Sequence, residues 1–168
     1  CQGKDETARA ARYFRVNFLY EIGYVGRLLK HSKEAYDAWS QAAADMVYFS
    51  DPKNFPVTYP FEGKKREIRS EDFSPTTLEF YSSLGNLCAD LKRYEESITW
   101  LTRAQEHPAG NNWVRYLAAS GILNAKRELR EMDESLAQRS LDQILLATRL
   151  RPDELQLVLS QKYPTAQL

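Results

Sequence analysis

Residues 81–105 read YSSLGNLCADLKRYEESITWLTRAQ. Leu84-Gly85 lies inside one apolar pattern of helical period. A second such pattern opens at Tyr94-Glu95-Glu96. Glycine costs a helix interior about 1 kcal/mol relative to alanine, so Gly85 needs a packing reason. A wider comparison supplies one. Gly85 is followed by Ser97, Leu101 and Ala104, and 62 residues upstream Gly23 is followed by Ala35, Trp39 and Ala42 with identical steps. Ser140, Ile144 and Ala147 repeat the last three steps. Their glycine, Gly121, lies 19 residues before Ser140 rather than 12, an excess of about two helical turns that keeps the phase. Glycine on one helix and alanine or serine on the next let two antiparallel helices approach, with Trp39, Leu101 or Ile144 filling the space beside the contact.

The rest of the chain fits a helical reading. Asp5 to Lys30 is one amphipathic segment with Ala10, Tyr13, Phe14, Phe18, Ile22, Val25 and Leu29 at three- and four-residue steps. Ser32 caps a second helix from Lys33 to Phe49. Residues 50–74 carry prolines and Gly63. Within them VTYPF and KREIR read as a short hairpin across Glu62-Gly63-Lys64. A helix starting at Pro75 reaches Leu91, and another spans Tyr94 to Glu106. Asn111 to Met132 is the next helix. Asp133 caps a further one to Leu150, and a short terminal helix follows from Pro152 to Lys162.

Tyr81-x-x-Leu84-Gly85-x-x-Cys88, then Tyr94, Ser97, Leu101, Ala104 and Pro108, resembles a tetratricopeptide repeat. The family usually has alanine at the position of Ser97, an aromatic at Leu101 and tyrosine near Cys88, and its proline falls one residue later than Pro108. The interval from Ala147 to Pro152 matches that last spacing. A weaker similarity is to an uncharacterised bacterial family that joins a zinc ribbon to such helices, although no ribbon is present here. The resemblance implies an all-α, right-handed stack of three antiparallel hairpins at about 5–49, 75–107 and 111–150. An insertion at 50–74 and a capping helix at 151–163 would complete a single domain.

Composition narrows the function. The chain has 168 residues, is 43% hydrophobic and 27% charged, and balances 23 basic against 23 acidic residues. A nucleic-acid binder usually carries a basic excess, so none is expected as a partner. No run of about 18 apolar residues exists to cross a membrane. Two cysteines, Cys1 and Cys88, rule out a disulfide framework, and neither lies in a CxxC or His/Cys cluster for zinc. Cys88 shares the apolar side of its pattern with Leu84, Leu87 and Leu91 and reads as a small core residue. Cys1 has two readings. CQGKDET is compatible with the lipidated start of a mature bacterial lipoprotein, which would place the chain at the envelope on the periplasmic side. It is equally compatible with an arbitrary chain boundary and a cytoplasmic protein.

Catalytic signatures are missing: no GxSxG, P-loop or HExxH motif occurs. His31 and His107 fall at helix C-termini, where positive charge is favoured. Glu95-Glu96 and Glu71-Asp72 suit helix starts. Lys64-Lys65-Arg66 reads as a solvated loop, with contact to anionic lipid or a partner as the sharper option. No cofactor or metal is implied.

The resemblance puts binding on the concave face, lined by the first helix of each pair. Tyr20, Tyr24 and Arg27 fall there, with Ser82 and Asn86 as counterparts in the second pair. Of the family's carboxylate-clamp positions only Asn86 matches, so chaperone-tail recognition is not expected. Tyr20 and Tyr24 have packing against the neighbouring segment as their competing role. Phe55, Tyr59 and Phe61 in the insertion either dock a partner or cover the edge between the first two hairpins. Three unsupported aromatics would form an apolar patch, which favours covering. The expectation is a non-catalytic protein-interaction module that scaffolds a complex. The alternatives are a structural subunit of a larger assembly and a helical enzyme or small-ligand carrier.

Overall fold

The computed structural model describes residues 2–148 and resolves into two units, residues 1–126 and 127–168. In chain order the elements are α1 (Gln2–Leu28), α2 (Ser32–Phe49), a 3-10 turn (Pro52–Asn54), β1 (Val57–Phe61), β2 (Lys64–Ile68), α3 (Ser70–Asp90), α4 (Tyr94–Glu106) and α5 (Asn112–Thr148). The described chain is mostly helical, with one two-stranded antiparallel sheet.

In the first unit α1 packs against α2, and α3 against α4, each pair joined by a tight turn. The two turns have the same local chemistry 62 residues apart. Lys30 and Lys92 both take left-handed backbone, with φ of 60° and 59°. His31 N–H donates to Gly26 C=O, and Arg93 N–H to Cys88 C=O, both at 2.8 Å. Lys30 and Lys92 donate to the carbonyls of Arg27 and Ala89. These paired bonds satisfy carbonyls that a helix end otherwise leaves open and reverse the chain in few residues.

The glycines do what their phase requires, by a somewhat different contact. A Cβ on Gly23 would lie 2.1 Å from Trp39 Nε1, and one on Gly85 would lie 2.7 Å from Leu101 Cγ. The glycine therefore makes room for the large side chain of the second helix directly. Ala35 meets Gly26 instead, where an added Cβ would come within 3.2 Å of backbone. Gly121, expected to serve a third hairpin, faces Leu101 of α4, leaving that leucine between two glycines.

Around these contacts lies an aromatic core. Trp39 is fully buried, stacks on Tyr20 at 6.2 Å, and donates from Nε1 to the Tyr20 carbonyl at 2.9 Å. Phe80 of α3 packs edge-on against Trp39, and Tyr81 stacks on Trp100 of α4. Buried Asp45 of α2 accepts from Arg15 (2.5 Å) and pairs with Arg12 (3.2 Å) on α1, so its charge is matched from the other helix. Between the pairs, the Tyr36 hydroxyl donates to Glu96 at 2.7 Å, and Arg93 holds the other Glu96 oxygen. Burial raises the Glu96 carboxyl pKa, but the bonds from Arg93 and Tyr36 outweigh it and leave the group below the ordinary glutamate range.

Several boundaries differ from the sequence expectation. Helix α3 begins at Ser70 rather than Pro75, which shortens the insertion. Asp72 accepts from the Arg69 N–H at 3.2 Å and Phe73 is buried, so the first turn is capped and anchored well before the proline. The hairpin forms with a two-residue turn: Glu62 and Gly63 have φ of 51° and 72°, as a tight hairpin turn of matching twist needs, and Lys64 already pairs with Phe61. The all-α expectation holds apart from this hairpin. The third hairpin is corrected: α5 runs unbroken through Asp133, so the described residues contain no separate helix starting there. In the second unit this helix carries ion pairs one turn apart, Arg127–Glu131 and Arg130–Glu134, which favour continuing a helix over breaking it. The capping helix expected at 151–163 lies outside the described residues, as does Cys1.

Candidate functional site

Pro75, Leu78, Glu79, Ser82 and Asn86 recur at three- and four-residue steps and so share one face of α3. That face borders a cleft of about 470 Å³, lined also by Leu101 of α4, by Ala109 and by Val114, Leu117 and Ala118 of α5. Its size suits a small ligand or a few side chains of a peptide. The walls are mostly apolar, with Glu79, Ser82 and Asn86 along one wall as the polar groups. The two expected binding residues of the second pair, Ser82 and Asn86, thus share one cleft. Leu78, Glu79 and the α5 wall were not anticipated. Their helical spacing was visible, but a cleft wall reads in sequence like any half-buried helix face.

The first-pair residues fare unevenly. Tyr20 is buried, its ring held between Trp39, Phe80 and Tyr24. Burial pushes its phenol pKa up, with the charge and hydrogen bond of Glu79 adding to the effect. Tyr20 therefore takes the packing role and offers a partner no ring face. Tyr24 stacks on it and stays 43% exposed. Arg27 is exposed, lies over Trp39 at 5.9 Å and reaches the Ser83 carbonyl on α3 at 3.5 Å. Tyr20 and Arg27 thereby link α1 to the helix that bears the cleft.

The insertion covers an edge. Phe55 packs on Phe49 and Phe73, Val57 is fully buried, and Tyr59 meets Phe14 of α1 edge-on at 4.9 Å. Phe61, near the hairpin tip, is 49% exposed beside Arg66. Of the three aromatics, Phe61 keeps the most accessible ring.

The titratable groups near the core are quiet. Burial pushes the Cys88 thiol up to about 12, aided by the charge of Glu96, so it stays protonated and unreactive. His107 was expected to carry favourable charge at the end of α4. Instead it is buried, packs edge-on against Tyr81, and accepts at Nδ1 from the Ala109 N–H at 3.3 Å. Burial lowers its pKa, so the neutral ring is the folded form. The unfolded chain then takes up a proton more readily. The contribution of His107 to stability is complete above about pH 6.5, the ordinary histidine value, and is lost as the pH drops below it. Melting curves between pH 7.5 and 5 should show this loss in the native chain and a flatter dependence in His107→Gln.

Among the described residues, no group of three His, Cys, Asp or Glu side chains is placed to hold a metal ion, and no helix is long and apolar enough to cross a membrane. No protein-family model matches the chain, and no curated protein matches it.

Proposed function

We propose that this chain is a non-catalytic protein-interaction module of tetratricopeptide-like build, and that the cleft between α3 and α5 receives a segment of the partner. The cleft carries the reading: an apolar trough with a short polar row, Glu79, Ser82 and Asn86, along one wall. Apolar walls suit a partner's side chains, and the polar row suits its backbone or a basic residue beside Glu79. The stacked-repeat build is supported by the two hairpin turns that match bond for bond across 62 residues. In this reading the module scaffolds a complex, at a bacterial membrane surface if Cys1 is a lipidated terminus.

The test is cross-linking capture of partners from source cells, followed by Leu117→Asp and Asn86→Ala. Leu117 is 49% exposed and Asn86 is exposed, so both variants should fold. Leu117→Asp should weaken the captured partner's affinity at least about tenfold, by placing a charge in an apolar wall. Unchanged capture by both variants would move binding off this cleft. A small molecule retained in native mass spectrometry and lost in Leu117→Asp would favour the carrier alternative.

A further inference from the structure

Helix α1 carries a second apolar face that stays exposed among the described residues of the first unit. Phe14, Phe18, Ile22, Val25 and Leu29 follow one another at steps of four, four, three and four, and all five are between 42% and 68% exposed. Leu28 flanks them and is exposed as well. No stripe position carries a charge. Glu21 lies between Phe14 and Leu28 around the helix, and Arg15 on the opposite flank is committed to Asp45. None of these side chains lines the α3–α5 cleft.

We propose that this face is the two-fold interface of a homodimer in which α1 packs antiparallel on α1 of a second copy. Two observations select a second copy. The first is the pattern's self-complementarity. Four of the five positions are related by reversal about the point between Glu21 and Ile22, which brings Phe14 opposite the partner's Leu29 and Phe18 opposite the partner's Val25; Ile22 falls beside the axis, opposite the partner's Glu21. The aromatic end of each stripe then faces the aliphatic end of the other, as an isologous contact between large and small side chains requires. The second is area. The exposed parts of Phe14, Phe18, Ile22, Val25, Leu28 and Leu29 amount to on the order of 600 Å² per copy, which reaches the lower end of stable specific interfaces once both copies are counted. Tyr59, packed on Phe14, extends the strip at one end.

Sedimentation analysis of the full chain at ~10 µM should give twice the 19.4 kDa chain mass, with Phe18→Glu and Val25→Glu each raising the dissociation constant at least ~100-fold. Both side chains are at least half exposed, so circular dichroism and melting of the separated chains should be unchanged. In a Cys1→Ser background, Ile22→Cys should form a disulfide-linked dimer under copper-phenanthroline, whereas Glu34→Cys on the exposed side of α2 should not. A single-chain mass at ~100 µM overturns the proposal. So does a dimer that survives Phe18→Glu or fails to cross-link through residue 22. A monomer that floats with phosphatidylglycerol vesicles, and loses that property in Phe18→Glu, would assign the face to lipid and equally overturn it.

Discussion

Trp39→Ala is expected to lower the unfolding free energy by about 3–5 kcal/mol, the largest loss from any single truncation in this core. Trp39 is fully buried at the centre of the α1–α2 contact, with Tyr20 stacked on one side and Phe80 edge-on at another. Removing the indole opens a cavity that neither helix can close, because Ala35 and Ala42, the small residues one helical turn to either side on α2, are already buried. The indole N–H bond to the Tyr20 carbonyl is lost as well. For a chain of this length the melting temperature should fall by on the order of 10 °C. Trp39→Phe should recover more than half of the loss, since a ring still fills most of the space. If Trp39→Ala melted within 2–3 °C of the native chain, the core drawn here would be misplaced.

Gly23→Ala should destabilise by about 2–4 kcal/mol even though alanine is the better helix former by about 1 kcal/mol. The added methyl would sit 2.1–2.6 Å from three atoms of the Trp39 ring. That ring is rigid and tethered at Nε1, so either it rotates and loses the bond to Tyr20, or the helices separate. The same change at Gly85 meets Leu101 Cγ and Cδ2 at 2.7–2.8 Å, which a change of leucine rotamer can move, and the Leu101 backbone nitrogen only at 3.2 Å. Gly85→Ala should therefore cost clearly less than Gly23→Ala. A double variant, Gly23→Ala with Trp39→Leu, should be more stable than the sum of its single effects predicts. Chemical denaturation of the four chains measures that coupling directly. Additive losses would show that Gly23 and Trp39 do not touch.

These two sites show how much was legible in advance. The 62-residue displacement linking Gly23 with Gly85 identified both glycines as contact residues, because only a close approach justifies glycine inside long helices. Sequence spacing alone assigned the contact to Ala35 and Ser97. The structure assigns it to Trp39 and Leu101, since the phase between two helices depends on how the turn at Lys30 or Lys92 sets their rotation. The hairpin in the insertion was readable from Glu62-Gly63, where left-handed backbone is most easily adopted. The start of α3 was not. A proline marks a helix start only when nothing earlier caps the chain, and Asp72 with Phe73 does so.

The candidate site divides in the same way. Ser82 and Asn86 follow from helical phase and do line the cleft. Tyr20 has a phase as favourable as theirs but lies in the core, because Phe80 and Trp39 close over it from helices 60 and 19 residues away in sequence. His107 looked like a charged helix terminus until Tyr81 was placed beside it.

The amino-acid order by itself determined the helical character, the paired turns and the positions where side chains had to vanish, because these follow from period, capping and steric volume within a few turns of chain. Only the tertiary structure decided which large residue each glycine admits, which tyrosine is buried, that Asp133 interrupts nothing, and that Phe14, Phe18, Ile22, Val25 and Leu29 of α1 stay exposed among the described residues. Each of these depends on what another helix brings up against the surface. A helix of period 3.6 presents the same stripe whether its neighbour is its own chain, a second copy or water.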